Sequence, residues 1–476
     1  MVGSEKKVLA FSGILLGMVS SIIMQTILAT VLPTMLEDLG GSHLYSWVFS
    51  SYLIVSTVTI PIFAKLADIY GRKDFYLGGM VIFLTGSVLG GMSHSMYQLV
   101  FFRMIQGLGA GAVAPAAIAM ITDLFPVKDR GKAMGMMAVV QVVANVLGPL
   151  AGGLIADRLG RQWAFWANIP VGVLAVVFVV LGFGEPQRVH NKTNIKQIDF
   201  AGGLLLGAAT ALAVQGFKLI EEQGLLYIRT GLIIFIAAAL FGLFLRQEKN
   251  HPDPVVSSDL IVIKNVRVSL ISIFLSGAVM YGNIVILPVY GQMLLGETAF
   301  QGGKLLLMLS LGLGIGGVFG GKLIQAFSYA GFAVSGWIVV SAGFFLLALS
   351  SGLSLGLYFI SAAVIVIGAG LGAMLPAFLI SGQNAAAENQ RAVVGGLIQM
   401  GRNLGGAVGI PLLLGFIATS GSDPAGFKEP DAYLPLFLML SAVSLAGAAV
   451  GWYFKGSFYK DQCAEESREA EFGQRH

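Results

Sequence analysis

The sequence predicts an all-α polytopic membrane protein of fourteen transmembrane helices, in two six-helix halves with two helices inserted between them. Three observations predict it. The 476-residue chain is 56% hydrophobic and 11% charged, with a mean hydropathy of +0.82; soluble domains carry about 25% charged residues. Apolar runs of about 20 residues, the length that spans a bilayer, recur along the whole chain. They lack the alternating, roughly ten-residue pattern of a β-barrel. The second half of the chain also repeats the spacing of the first.

In chain order the helices are expected at 8–32, 44–67, 75–93, 97–121, 132–156, 163–183, 200–217, 225–245, 267–291, 302–325, 331–350, 353–378, 394–418 and 433–454. Lys6 and Lys7 precede the first run, which continues to Leu32 without a small-residue cleavage site. It reads as a retained helix and not as a signal peptide. Helices 11 and 12 are separated only by a turn at Ser351-Gly352.

Charge sets the orientation. Of the 29 Lys and Arg residues, Arg158, Arg161, Lys218, Arg229, Lys304 and Lys428 fall on one side, and Arg103 and Arg402 lie within helices. The rest share the side of the termini, which the positive-inside rule makes cytoplasmic. A plasma (inner) membrane location is expected. The net charge of +4 and pI near 9.0 are explained by these loops and imply no nucleic-acid partner.

The repeat is collinear at four places. Gly107 to Pro115 has the same G-x-G-x-G-A-x-x-P spacing as Gly368 to Pro376. Leu32-Pro33 matches Leu287-Pro288, Ala64-Lys65-Leu66 matches Gly321-Lys322-Leu323, and Pro149 with Ile155-Ala156 matches Pro411 with Ile417-Ala418. The repeating unit holds six helices, so helices 7 and 8 are the insert. Two similar halves around a midplane site are a transporter plan.

Helices 4 and 5 carry the densest signals. Arg103 stands inside an apolar run, where a charge is costly unless it faces protein or water. Gly107 and Gly111 are spaced for close helix approach, and Pro149 permits a kink in helix 5. Other chemistries are not supported. There is no G-x-x-x-x-G-K-[ST] loop for an ATP-driven pump. His43, His94, His190, His251 and His476 are scattered without metal-ligand spacing. The single cysteine, Cys463, excludes an intrachain disulfide framework and a cysteine metal site. No paired carboxylates suggest acid–base catalysis, so neither an enzyme nor a cofactor or metal is expected.

These features resemble the major facilitator superfamily, specifically its fourteen-helix drug:proton antiporter branch. AKLADIYGRK (Ala64 to Lys73) is similar to the loop after helix 2 of that family. Arg103, Gln106, Gly107 and Gly109 match its helix 4 motif, and Gly148, Pro149, Gly152 and Gly153 its helix 5 antiporter motif. WAFWANIPVG (Trp163 to Gly172), ILPVYGQMLLG (Ile286 to Gly296) and GGLIQMGRNLGGAVG (Gly395 to Gly409) resemble further signatures of the branch.

The resemblance implies a cytoplasmic latch of Asp68, Arg72 and Lys73, with Asp123 as partner of Arg72; basic residues there also signal topology. Arg103 either orders a polar network or responds to a proton or substrate in the cavity, or is a structural arginine satisfied by backbone carbonyls or water. The helix 5 motif implies a hinge that controls leak. IMQTILATVLP (Ile23 to Pro33) departs from the branch: Met24 stands where an aspartate is expected, and no acid falls in the middle of a helix. Arg103 and Arg402 would favour a neutral or anionic substrate if they reach the cavity. Candidate cavity groups are Gln25, Thr26, Gln141, Asn145, Tyr281, Asn283, Tyr290, Gln292, Gln399, Arg402 and Asn403, since polar groups in hydrocarbon need partners.

The expected organisation is an N-terminal half at 1–184, an insert at 185–262, a C-terminal half at 263–455 and a cytoplasmic tail at 456–476. The expected activity is monomeric secondary export of small amphipathic molecules in exchange for protons. A proton-independent facilitator or lipid or metabolite exporter is the alternative within transport, and a non-transporting membrane sensor the alternative outside it. The expected partners are a small-molecule substrate, protons and the lipid bilayer.

Overall fold

A computed structural model describes residues 4–184, 199–223, 227–251, 254, 256, 258–323, 329–353, 355–387, 390–420 and 430–453. Among these, fourteen helices are long and apolar enough to cross a membrane, and no strand occurs. They are α1 (Ser4–Leu39), α2 (Tyr45–Tyr70), α3 (Arg72–Gly91), α4 (Met96–Leu124), α5 (Val127–Arg158), α6 (Asn168–Gly182, of membrane length only together with the preceding turn, as Trp163–Gly182), α7 (Phe200–Gln223), α8 (Ile228–Asn250), α9 (Lys264–Val289), α10 (Ala299–Leu323), α11 (Tyr329–Gly352), α12 (Leu357–Asn384), α13 (Arg391–Ser420) and α14 (Pro430–Tyr453). Helices suit this composition because they satisfy every backbone donor and acceptor without water.

Several helices run past their apolar stretches. α1 extends from Ser4 to Leu39, beyond the expected 8–32, because polar residues continue a helix once it leaves hydrocarbon. Helix 6 begins with a separate turn, Trp163–Trp166, before Asn168 opens the main helix. α9 continues into a π-helical turn, Tyr290–Leu294. The expected tail at 456–476 lies outside the described residues, as do Cys463 and the basic residues Arg188, Lys192, Lys196 and Lys428.

The chain forms two compact units: residues 1–255, 284–307 and 410–415 in one, and 256–283, 308–409 and 416–476 in the other. In the first unit α1 packs on α5 and α6, α4 lies between α2 and α3, and the inserted helices α7 and α8 pair with each other while α7 rests on α2. A core of Phe11, Ile14, Tyr76, Met80, Ala116, Ala117, Met120, Ala175 and Val179 joins α1, α3, α4 and α6. The Tyr76 hydroxyl donates to the Gly13 carbonyl at 2.9 Å. In the second unit α11 packs on both α12 and α14. There Ser341 and Ser441 bond each other's hydroxyl (2.8 Å) and carbonyl (3.0 Å each).

The repeat read from the sequence has a geometric counterpart inside each unit. A Cβ on Gly107 would fall 2.8 Å from the Tyr52 carbonyl oxygen, and one on Gly111 2.9 Å from that of Ser56, both on α2. On the opposite face of α4, Gly109 abuts the Gly79 carbonyl and the Phe83 nitrogen of α3. In the second unit Gly368 and Gly372 abut the Leu309 and Leu313 carbonyls of α10, and Gly370 meets the Gly336 carbonyl and Val340 nitrogen of α11. Each α2 or α3 partner and its counterpart are 257 residues apart. α4 and α12 are therefore built alike, each clamped by glycine between two neighbours.

These contacts predict opposite outcomes for two Gly→Ala changes. At Gly370 the new methyl would fall 2.7 Å from the Gly336 carbonyl oxygen and 2.8 Å from the Val340 nitrogen. Overpacking against backbone costs about 1–3 kcal/mol, so Gly370→Ala should lower the thermal unfolding midpoint in detergent. Gly242, inside α8, has nothing within 4 Å of its Cβ position, and Gly242→Ala should raise the midpoint slightly by removing the roughly 0.5–1 kcal/mol helix penalty of glycine.

Candidate functional site

The α2–α3 corner concentrates charge. Gly71, with φ +111, lets the chain reverse between the helices, which places Asp68 and Arg72 one turn apart. Arg72 Nε donates to Asp68 Oδ1 at 2.9 Å, and its Nη2 lies 2.8 Å from the same oxygen. Its Nη1 donates to Asp123 Oδ1 on α4 at 2.6 Å and to the Ala119 carbonyl at 3.4 Å. One guanidinium thus ties together three helix ends. The groups are partly exposed, 32% for Arg72 and 42% and 45% for Asp68 and Asp123, so each pair contributes no more than about 1 kcal/mol. Lys73 does not join the carboxylates. Its Nζ donates to the Phe183 and Val180 carbonyls at 2.7 and 3.5 Å, where a cation complements the C-terminal end of α6.

Arg103 is 1% exposed and lies inside the first unit. Its Nε donates to the Val48 carbonyl at 3.1 Å and its Nη1 to Gln106 Oε1 at 2.5 Å. Gln106 Nε2 in turn donates to Ser87 Oγ at 2.7 Å. The guanidinium sits 4.2 Å over the Tyr52 ring, an arrangement worth about 2 kcal/mol when desolvated, and the Tyr52 hydroxyl pairs with Ser21 Oγ at 2.8 Å. Carbonyl, amide and ring share the cation. Its Nη2 has no hydrogen-bond partner among the described residues. Gly86 lets the Gln106 backbone approach α3, a Cβ there falling 2.8 Å from the Gln106 nitrogen. Tyr52, Ser21 and Ser87 carried no sequence signal of their own, because they become partners only when α1, α2 and α3 surround α4.

The helix 5 motif faces two ways. A Cβ on Gly148 would fall 2.9 Å from the Thr26 Cβ, and one on Gly152 would fall 2.8 Å from the Ile27 Cα, both on α1. Gly153 abuts Phe300, and the Pro149 carbonyl lies 2.7 Å from the Cβ position of Gly303, both in the first turns of α10 that belong to the same unit. Nearby, Asp157 Oδ2 accepts the Phe300 N–H at 3.1 Å and Gln292 Nε2 donates to the Thr30 carbonyl at 2.9 Å.

The remaining candidates separate by burial. Thr26 donates to the Ile22 and Ile23 carbonyls of its own helix, and Asn283 to that of Val279; Tyr290 is buried. Gln25, Gln141 and Asn145 are half-buried. Met24 is fully buried in α1. In the second unit Tyr281, Gln399, Arg402 and Asn403 come together. The Tyr281 hydroxyl donates to Asn403 Oδ1 at 3.1 Å, Gln399 Nε2 donates to the same oxygen at 3.2 Å, and Arg402 Nη2 donates to Gln399 Oε1 at 2.7 Å.

The Arg103 network predicts a graded response. Gln106→Leu removes the acceptor of Arg103 and the donor to Ser87 in a site without water access, a loss of about 1–3 kcal/mol for each stranded polar group. The thermal midpoint should fall by several degrees. Gln106→Glu keeps an acceptor toward Arg103 and should fall less; an equal fall in both variants would show that the pairing with Arg103 contributes nothing.

Comparison with known proteins agrees with this architecture. The sequence profile described as Major Facilitator Superfamily matches residues 14–410. The chain is 30% identical over 414 residues to "Multidrug transporter protein MdtP" of Bacillus subtilis (strain 168), covering 86% of this chain and 75% of the relative. It is 34% identical over 313 residues to "Multidrug resistance protein 3" of the same organism, covering 65% of this chain and 60% of that relative. Among solved structures, an auto-inhibited POT family peptide transporter superposes with a TM-score of 0.69 at 15% identity, covering 95% of this chain and 97% of the other. A bacterial homologue of the human lysosomal transporter Spinster superposes with a TM-score of 0.65 at 16% identity, covering 96% and 99%. At those identities the structural likeness speaks for the fold alone. With its profile match, its relatives and its fourteen membrane-length helices, this chain belongs to the major facilitator superfamily of transporters.

Proposed function

We propose that this protein exports small amphipathic compounds across the plasma (inner) membrane by alternating access, with both termini in the cytoplasm and protons as the exchanged ion. The two halves at 1–184 and 263–455 rock around a central site, and α7 and α8 stay peripheral. The observation that carries the reading is the duplicated clamp, Gly107, Gly109 and Gly111 against Gly368, Gly370 and Gly372, with matching partners in each unit. Two like-built helix sets are the framework of a secondary transporter. Export is supported by relatives named as a multidrug transporter and a multidrug resistance protein. In this reading the Asp68–Arg72–Asp123 bridge is made in one conformer and broken in another, which pairs of about 1 kcal/mol or less allow.

One observation favours a second reading, a facilitator with no obligatory proton. Met24 fills the helix 1 position where the resemblance calls for an acid. Among the described residues every Asp and Glu of the fourteen helices lies in a first or last helical turn.

Purified protein in liposomes with a trapped pH dye separates the readings. Lipophilic cations, neutral drugs and organic anions are added in turn across an imposed pH gradient. Substrate-dependent proton movement that Arg103→Ala abolishes supports antiport. Flux without a proton signal leaves the facilitator. Binding without flux of any compound overturns export in favour of a sensor. In the same assay Asp123→Asn should slow transport several-fold while lowering stability by no more than about 1 kcal/mol; an unchanged rate would falsify the role of the latch.

A further inference from the structure

Among the described residues the two charges furthest from any helix end are both arginines, and the structure treats them differently. Arg103 is enclosed by Tyr52, Gln106 and the Val48 carbonyl. Arg402 lies well inside the span Val393–Ile417 yet is only half-buried, beside an exposed Gln399. A guanidinium at that depth must face protein or water, not lipid. Its backbone is fixed: the Arg402 carbonyl abuts Gly277 of α9, and one turn on, Gly405 abuts the Phe274 carbonyl. Gly406 leaves room for the Tyr281 ring, a Cβ there falling 2.7 Å from ring carbon Cγ.

A count of donors and acceptors decides what this cluster can bind. Gln399 Oε1 already accepts from Arg402, and Asn403 Oδ1 accepts from both Gln399 and Tyr281. Both lone pairs of Asn403 Oδ1 are thus used and one of Gln399 Oε1. A guanidinium carries five N–H donors and no acceptor, of which one bond is made here; Arg402 Nε is buried with no partner among the described residues. The cluster therefore has surplus donors, one full positive charge and an aromatic ring alongside. No described helix offers a carboxylate at comparable depth.

We propose that Arg402, positioned by Gln399, Asn403 and Tyr281, binds the head group of an amphipathic organic anion, and that such anions are the substrate class of this exporter. Carboxylate, sulfonate and phosphate heads share the needed chemistry, because each presents acceptors that a guanidinium can bond in pairs. The proposal rests on the export reading above for transport, but not for binding.

The test uses the full-length protein in nanodiscs of zwitterionic lipid and three probes with one ring system: 2-naphthylacetate, its neutral amide and 2-naphthylmethylammonium. Titration calorimetry should give the carboxylate the tightest binding. Arg402→Gln should weaken it by about ten- to hundred-fold, the range for one charge-assisted hydrogen bond, and leave the amide unchanged. Arg402→Lys, which keeps the charge, should retain part of the preference and controls for folding, together with the thermal midpoint of each variant. Ammonium binding equal to or tighter than carboxylate binding, or carboxylate affinity unaffected by Arg402→Gln, overturns the proposal. Adding phosphatidylglycerol to the nanodiscs distinguishes sources: competition with 2-naphthylacetate that Arg402→Gln removes supports the site with a lipid head as its ligand, and absence of competition supports a soluble acid. Liposome flux keeps the two readings apart. Transport of the ammonium alone sinks the anion assignment and leaves export standing, whereas Arg402-dependent carboxylate binding without flux of any probe sinks export and leaves the site.

Discussion

Close backbone contact through glycine is the constraint on which the rest of this protein depends. Between helices in lipid there is little hydrophobic driving force, so association relies on van der Waals packing and interhelical bonds at short range. Gly107, Gly109 and Gly111 bring α4 against the backbones of α2 and α3, and Gly368, Gly370 and Gly372 do the same for α12. Gly148 and Gly152 seat α5 on α1, and Gly405 and Gly409 seat α13 on α9. A side chain at any of these positions would push two helices apart, and with them every polar contact that crosses the seam.

The polar contacts follow from that packing. Gly86 lets Gln106 approach α3, so its amide reaches Ser87 while its oxygen holds Arg103. Gly107 presses α4 onto Tyr52, whose ring then lies under the guanidinium. A buried charge left with one partner would be strongly destabilising, so the glycine seams and the Arg103 network support each other. Arg402 uses the same device with a different result: Gly277 and Gly405 fix its backbone, and the head remains accessible. Two arginines in comparable sequence settings thus differ in what surrounds them: Arg103 is enclosed by a carbonyl, an amide and a ring, whereas Arg402 is half-buried and bonds one amide oxygen.

The helix pattern, the repeat and the closeness of Arg72 to Asp68 were legible because each rests on short-range or periodic information, whereas Asp123, 51 residues from Arg72, came only from the family resemblance. Apolar length specifies a span, the glycine spacing specifies a face, and Asp68 with Arg72 flank a glycine turn. Lys73 illustrates the limit. It sits beside Arg72 in a charged loop, yet its ammonium caps the C-terminal carbonyls of α6, which no spacing between residues 73 and 183 reveals. Thr26 and Asn283 show another limit: both are polar and intramembrane, and both bond carbonyls of their own helices, an option open to such side chains wherever they point.

By itself, then, the sequence determined the class of molecule, the number of helices and the twofold plan, since hydrophobic length, charge bias and glycine spacing act locally and repeat. Tertiary structure alone decided which helix each glycine face meets, that Tyr52 and Ser87 complete the surroundings of Arg103, and that Arg402 keeps unengaged donors beside Tyr281. Those outcomes depend on contacts between segments tens to hundreds of residues apart, where the partner of a side chain is set by the packing of other helices and not by its neighbours in the chain.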